Sequence, residues 1–279
     1  PINKSSHSTH IALGMVTPAS DSIGISFRIR RMNVSSDVNP YESTTLLDQY
    51  LLFHFGSEHE IAPPAGTPAD SMRFPTITTA LAPQQKWLGS ALDLGCAVGR
   101  SSFALSESFR TVLGIDFSHA FIQAAETIRT AGSIEYQRHD EGHLCTPLIA
   151  RRPAMSNPER ITFQVGDATS LPADIGSFDL VHAANLICRL PDPASLLKRF
   201  ASLVKPGGQL VLTTPCTWLG EFTPPNQWPD KPTLAWLKDH LEPNFILDKT
   251  HDLPFLIRET SRKFQWSTAH GSVWVRGEL

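Results

Sequence analysis

The chain has 279 residues, room for one large domain with a substantial core. Its 41% hydrophobic and 18% charged composition is that of a water-soluble globular protein. A formal net charge of -3, with basic and aromatic residues scattered, excludes a field that would draw it to nucleic acid or anionic lipid. No apolar run approaches the ~20 residues that span a bilayer, and no signal peptide is recognisable, so no membrane partner and a cytoplasmic location are expected.

Residues 1–38 are polar and aperiodic and are expected to form a poorly ordered N-terminal extension; residues 39–279 carry the domain. "NPYESTTLLDQYLLFHFG" spaces its apolar residues as a helix does and stops at Gly56. "APPAGTPADSMRFP" reads as a proline-rich linker. Strands and helices then alternate. "ALDLGC", "TVLGID", "ITFQVGD", "FDLVHAANLI" and "QLVLTTP" are apolar strands. "GRSSFALSESF", "SHAFIQAAETIRTAG", "PASLLKRFASLVKPGG" and "PTLAWLKDHL" are helices. Such alternation predicts a mostly parallel sheet covered on both faces. "FILDKTHDLPF" and "FQWSTAHGSVWVRG" have no helix between them and predict an antiparallel end. Around 133–153 the alternation breaks at Asp140-Glu141-Gly142, which predicts a β-hairpin inserted above the sheet.

Cys96, Cys145, Cys188 and Cys216 lie far apart with no C-x-x-C, so neither a zinc site nor a disulfide framework is expected. "HDEGH", His139 to His143, shows no complete ligand set and is read as a solvated hairpin tip, so no metal site is expected.

The stretch "SALDLGCAVGRSSFAL" ends a strand in an acid and two glycines and restarts as a helix. In an open α/β sheet, ligands bind beyond the carboxyl ends of the strands, and glycines let backbone approach them. Gly95-Cys96-Ala97-Val98-Gly99 fails the dinucleotide pattern G-x-G-x-x-G, which argues against a nicotinamide oxidoreductase. It resembles the first motif of the Rossmann-like class I S-adenosylmethionine methyltransferases, with Ala97 in place of the middle glycine. That resemblance implies a seven-stranded sheet and S-adenosylmethionine as cofactor, held by Asp93, Gly95, Cys96, Gly99 and Arg100. It further implies Asp116 and Phe117 after the second strand, Asp167 and Ala168 after the third, and Asn185 after the fourth. Asp116 at a strand end can take both ribose hydroxyls through its two oxygens. Asp93 is expected to act indirectly, through loop amides or the ligand's amino group.

The flanking phrases "NPYESTTLLDQYLLFHFG", "DEGHLCTPL", "LVKPGGQLVLTTPCTWLGEFTP" and "DLPFLIRETSRKFQWS" resemble the methyltransferase of ovothiol biosynthesis. The resemblance implies methylation of an imidazole nitrogen of 5-thiohistidine (4-mercaptohistidine) to give ovothiol A, with a separate sulfoxide synthase and lyase supplying the substrate. Methylation of a related imidazole, such as a selenium analogue, and cofactor binding without catalysis are the other readings. Asn185, Tyr41 and Arg189 are the catalytic candidates. Tyr50, His54, Trp218, Glu221, Arg258, Lys263 and Trp266 are the substrate-binding candidates, with Arg258, Arg262 and Lys263 as carboxylate clamps and Trp218 as an aromatic wall. For each a plainer role also exists: His54 as a packed histidine, Trp266 as core, Arg258 and Arg262 as a solvated face.

Overall fold

The computed structural model describes residues 39–63, 66, 69–82 and 88–278; the N-terminal extension expected over 1–38 lies outside them. Seven strands form one sheet: β1 (Leu88–Leu94), β2 (Phe109–Asp116), β5 (Ile161–Val165), β6 (Phe178–Ala184), β7 (Val204–Thr214), β8 (Phe245–Arg258) and β9 (Phe264–Arg276). A separate hairpin pairs β3 (Ser133–Glu141) with β4 (Leu144–Arg151). The sheet order is β5-β2-β1-β6-β7-β9-β8, parallel up to β7, with β9 and β8 antiparallel. This is the Rossmann-like α/β architecture. Strand order reverses at β1, which pairs with β2 on one side and β6 on the other, so the crevice opens there.

Among the described residues, seven α-helices pack around the sheet: α1 (Thr44–Phe55), α2 (Glu58–Ile61), α3 (Phe74–Thr79), α4 (Arg100–Leu105), α5 (His119–Ala131), α6 (Pro193–Leu203) and α7 (Thr233–Leu241). One apolar cluster joins Leu51, Phe103, Phe121 and Ile128 with Tyr136 of the hairpin; a second joins Leu196, Phe200, Leu237 and Trp274, and a third Phe53, Phe74, Leu253 and Phe255. Each such side chain removed from water contributes about 1.5–3 kcal/mol, so both faces of the sheet are sealed.

Two segments differ from the sequence expectation. The proline-rich linker ends in α3, because Pro75 sits in the first turn, where a missing N–H is harmless, and the helix buries Phe74, Thr78 and Thr79. Helix α6 stops at Leu203, and Val204 already begins β7, so Pro206-Gly207-Gly208 lies within an irregular strand.

The first described residues are fixed to the rest of the domain by local chemistry. Asn39 caps a 3-10 turn over Pro40–Glu42, and Ser43 caps α1. The Glu42 carboxylate accepts the His119 and Ala120 amides, 2.8 and 3.1 Å away, at the start of α5. The Ser118 hydroxyl donates to the Tyr41 carbonyl at 2.9 Å. Tyr41 and α1 thereby lie across the crevice.

Candidate active site

The glycine turn is a shaped wall rather than an amide cradle. The Gly95 and Cys96 amides both donate to the Ile115 carbonyl, at 2.8 and 3.1 Å, and the Gly99 amide to the Cys96 carbonyl at 2.9 Å. These three donors are committed to the protein. Gly99 has φ +87°, and a Cβ there would meet the Phe163 ring at 2.6 Å, so conformation and space both demand glycine. Ala97 takes φ +47°, a conformation that costs an L-residue about 1 kcal/mol, and its amide donates to Asp116 Oδ2 at 2.8 Å. Cys96 offers no side chain to a ligand; its sulfur is buried and points at the Ala97 carbonyl.

Asp116 ends β2, half buried, with its other oxygen accepting the Ser118 amide at 2.9 Å. Burial pushes its carboxyl up to about 6, against the pull of the Ser118, Ala97 and Phe117 amides. Each oxygen keeps a second lone pair, so two further hydroxyl donors can still be accepted. Beside it Phe117 is 60% exposed, a large ring turned outward at the rim of the sheet. Phe117, Val165, Gly166 and Asp167 line a hollow of about 280 Å³ together with Asn39, Glu42 and His119. Asp167 is exposed; its Oδ1 accepts the Thr169 amide and hydroxyl at 2.8 and 2.7 Å. Ala168 is half buried and lines a neighbouring hollow of about 330 Å³, bounded by Ser195 and Lys198 of α6.

Asp93 is a correction. It bonds no loop amide and faces no ligand; only 1% of it is exposed. Its Oδ2 accepts the Ser102 hydroxyl at 2.6 Å, and its Oδ1 lies 2.8 Å from His182 Nδ1. His182 Nε2 lies 3.0 Å from the Thr78 hydroxyl. Asp93 and His182 are direct neighbours across β1 and β6, so this buried chain ties α3, α4 and two strands together beneath the glycine turn. Ser102, His182 and Thr78 were not read from the sequence. An imidazole in a strand covered on both faces needs a partner, and Asp93 was the available acid.

The other half of the crevice gathers Tyr41, Tyr50, Asn185 and Arg189. Asn185 sits at φ +54° just past β6, its Oδ1 accepting the Thr213 hydroxyl at 3.0 Å, which leaves its amide nitrogen as the donor. Arg189 donates to the Thr217 carbonyl at 2.9 Å and lies 5.1 Å from the Phe222 ring centroid. The Tyr41 ring contacts those of Tyr50, Phe121 and Phe222. Burial raises both the Tyr41 and Tyr50 phenols above their ordinary range. The charges of Arg189 and Asp116 both act on the Tyr41 phenol. Phe222, which the sequence did not single out, lies against both Tyr41 and Arg189.

Below them, His54 stacks on Tyr50 with centroids 5.9 Å apart, and burial pushes its imidazole down to about 3. His54 Nδ1 and Arg100 Nη1 are both buried with no hydrogen-bond partner among the described residues. Orphaned polar atoms beside a crevice are explained by a group that fills it.

The remaining candidates lie elsewhere. Trp218 packs edge-on against Trp236 of α7, centroids 5.8 Å apart, and donates to Thr233. Glu221 is exposed on the loop after β7. Arg258 is buried, donates to the Glu60 carbonyl at 2.9 Å and lies 3.6 Å from Asp140 of the hairpin, while its Nε is buried with no hydrogen-bond partner among the described residues. Lys263 pairs with Glu259 at 2.5 Å on an open turn, where Arg262 is also exposed. Trp266 is 65% exposed rather than in the core.

Residues 71–251, most of the described chain, match a family model described as a methyltransferase domain. The chloroplastic tocopherol O-methyltransferase of Arabidopsis thaliana is 26% identical over 148 residues, 53% of this chain and 35% of that protein. The ubiquinone biosynthesis O-methyltransferase of Colwellia psychrerythraea is 28% identical over 182 residues, 64% of this chain and 59% of that protein. The chain thus spans between 35% and 59% of the length of these curated relatives. Among solved structures, N-methyltransferase NodS from Bradyrhizobium japonicum, in complex with S-adenosyl-L-homocysteine, shares the fold. Its TM-score is 0.50 at 14% identity, over 84% of this chain and 99% of that one. With its sheet order, its strand-end acids and the family match over residues 71–251, the chain belongs to the methyltransferase domain family.

Proposed function

We propose that the chain is an S-adenosylmethionine-dependent methyltransferase whose acceptor is an imidazole nitrogen of 5-thiohistidine, giving ovothiol A. The observation that carries the cofactor is Asp116: a half-buried carboxylate with a free lone pair on each oxygen, beside the outward ring of Phe117. Asp116 takes the ribose hydroxyls, Phe117 and the hollow at Asp167 take the adenine, and Arg100 Nη1 meets the amino-acid carboxylate. When bound, S-adenosylmethionine supplies a sulfonium-activated methyl group. The acceptor end rests on the flanking phrases of the sequence and on the polar groups around Tyr41.

Neither tyrosine is a base at neutral pH, since burial holds both phenols protonated. His54, kept neutral, touches Tyr50 and orients the pair. The work of these residues is orientation, which supplies much of the rate of a displacement whose nucleophile arrives unprotonated. Arg189 is the cation nearest Tyr41 and binds the acceptor's carboxylate; the Asn185 amide and the tyrosine hydroxyls turn nitrogen rather than sulfur toward the methyl group. A sulfoxide synthase and a lyase supply the acceptor, and the reaction is cytoplasmic.

A second reading has support of its own: both curated relatives above are O-methyltransferases. Purified protein with S-adenosylmethionine is to be offered 5-thiohistidine and a catechol in parallel. An N-methylated thiohistidine, identified by mass spectrometry and NMR, supports the proposal. Turnover of the catechol alone overturns the acceptor and keeps the cofactor; tighter calorimetric binding of NAD than of S-adenosylmethionine overturns both.

A further inference from the structure

The inserted hairpin carries a second set of reactive groups, which methyl transfer does not use. Cys145 of β4 is exposed and stands directly across the ladder from His139 of β3. Its Sγ lies 3.6 Å from His139 Nδ1. The far nitrogen of that ring, Nε2, lies 3.3 Å from Asp48 Oδ2 on α1. Asp48 is itself fixed, since its Oδ1 accepts the Gln137 amide at 3.2 Å and only 7% of the residue is exposed. Three elements, one of them distant in sequence, thus line up a carboxylate, an imidazole and a thiol.

The order of these groups settles the tautomer. An ionised carboxylate only accepts, so Nε2 carries the ring proton toward Asp48 and Nδ1 turns its lone pair to the sulfur. A base oriented by a third group and facing an open thiol is the arrangement that activates a nucleophile. The other cysteines lack it. Cys96 and Cys188 are buried, and burial raises both thiols. Cys216 is exposed, and its sulfur approaches the Thr214 carbonyl at 3.7 Å; no imidazole lies against it among the described residues.

We propose that Cys145, His139 and Asp48 form a thiol–disulfide exchange site for low-molecular-weight disulfides. His139 Nδ1 accepts the Sγ proton, and the thiolate attacks one sulfur of the incoming disulfide. That S–S bond breaks as the bond to Cys145 forms. The departing sulfur leaves as thiolate and takes the proton back from His139. Cys145 is oxidised, the departing sulfur is reduced, and the disulfide itself is the oxidant. Asp48 is a positioning residue: it acts only through the ring it holds.

The full chain, reduced and then freed of reductant, is to be mixed with dithiodipyridine, which releases a chromophoric thione. Peptide mapping at early times identifies the labelled cysteine. Cys145 is expected to react about tenfold or more faster than Cys216, the exposed thiol without a base. Cys145→Ser removes the fast phase and leaves the Cys216 phase unchanged. His139→Gln slows the fast phase about tenfold, and Asp48→Asn slows it by a smaller factor. Cystamine in place of the probe yields a mixed disulfide at the same residue. Equal rates at Cys145 and Cys216 in the unaltered protein overturn the proposal without recourse to any variant, as does a His139→Gln protein with an undiminished fast phase.

Discussion

The two halves of the crevice are built at different ranges of sequence. The cofactor half is short-range: Asp116 is held by the amide two residues on and by Ala97 of the neighbouring strand's turn, and Asp167 by Thr169. The proposed acceptor half is assembled from afar: Tyr41 before α1, Asn185 and Arg189 after β6, and Phe222 beyond β7. A fold can keep the first half while exchanging the second, which is how relatives with one cofactor site come to serve different acceptors.

The largest expected effect strikes the foundation that both halves share. His182→Leu leaves the Asp93 carboxylate buried with Ser102 alone, and removing one partner of such a pair destabilises by about 3 kcal/mol or more. Urea unfolding without any ligand checks it; a change below about 0.5 kcal/mol would mean that the chain under the glycine turn contributes little.

Next in size is the cofactor half by itself. Asp116→Ala should weaken S-adenosylmethionine binding by about 2 kcal/mol, roughly thirtyfold, with the acceptor's KM unchanged. The same carboxylate sets a pH dependence. Its pKa stands at about 6 in the folded protein, above the ordinary carboxylate range, so the folded state holds this proton more tightly than the unfolded chain does. Asp116 therefore lowers stability as pH rises from about 4 to 6, and ribose hydroxyls, which favour the charged form, bind best above 6. Cofactor affinity should fall about tenfold per pH unit below 6, and Asp116→Asn should flatten the profile in isothermal titration.

The short-range half was the legible one. An acid or a glycine within a residue or two of a strand end needs only the strand to be recognised, and the apolar runs declare the strands. The long-range half required knowing which carbonyl or ring lies opposite. Nothing near Arg258 in sequence reveals that the Glu60 carbonyl, 198 positions away, takes its guanidinium. Trp218 and Phe222 sit four apart on one loop, and which ring faces the crevice depends on Trp236 claiming the other. The partner of the Gly95 and Cys96 amides is likewise hidden in the sequence: it is the Ile115 carbonyl of the neighbouring strand.

A smaller effect is expected in the acceptor half. Arg189→Ala removes the cation facing Tyr41 and should raise the acceptor's KM about tenfold, the worth of one charge-assisted contact. Cofactor affinity should not change. A parallel loss in both would show that the two halves are one cooperative unit, and the contrast between them would fail.

The smallest effect is the most discriminating about which cation serves the acceptor. Lys263 is 70% exposed and bound to Glu259 on the same turn, an ion pair of the kind that contributes about 0–1 kcal/mol. Its side chain lies mostly in solvent, and its charge has a partner in place. Lys263→Ala should therefore leave stability within about 0.5 kcal/mol and change neither KM nor kcat. A several-fold rise in acceptor KM, with the melting temperature unchanged, would mean that the β8–β9 turn swings over the crevice in the bound state. The carboxylate clamp would then belong to that turn rather than to Arg189.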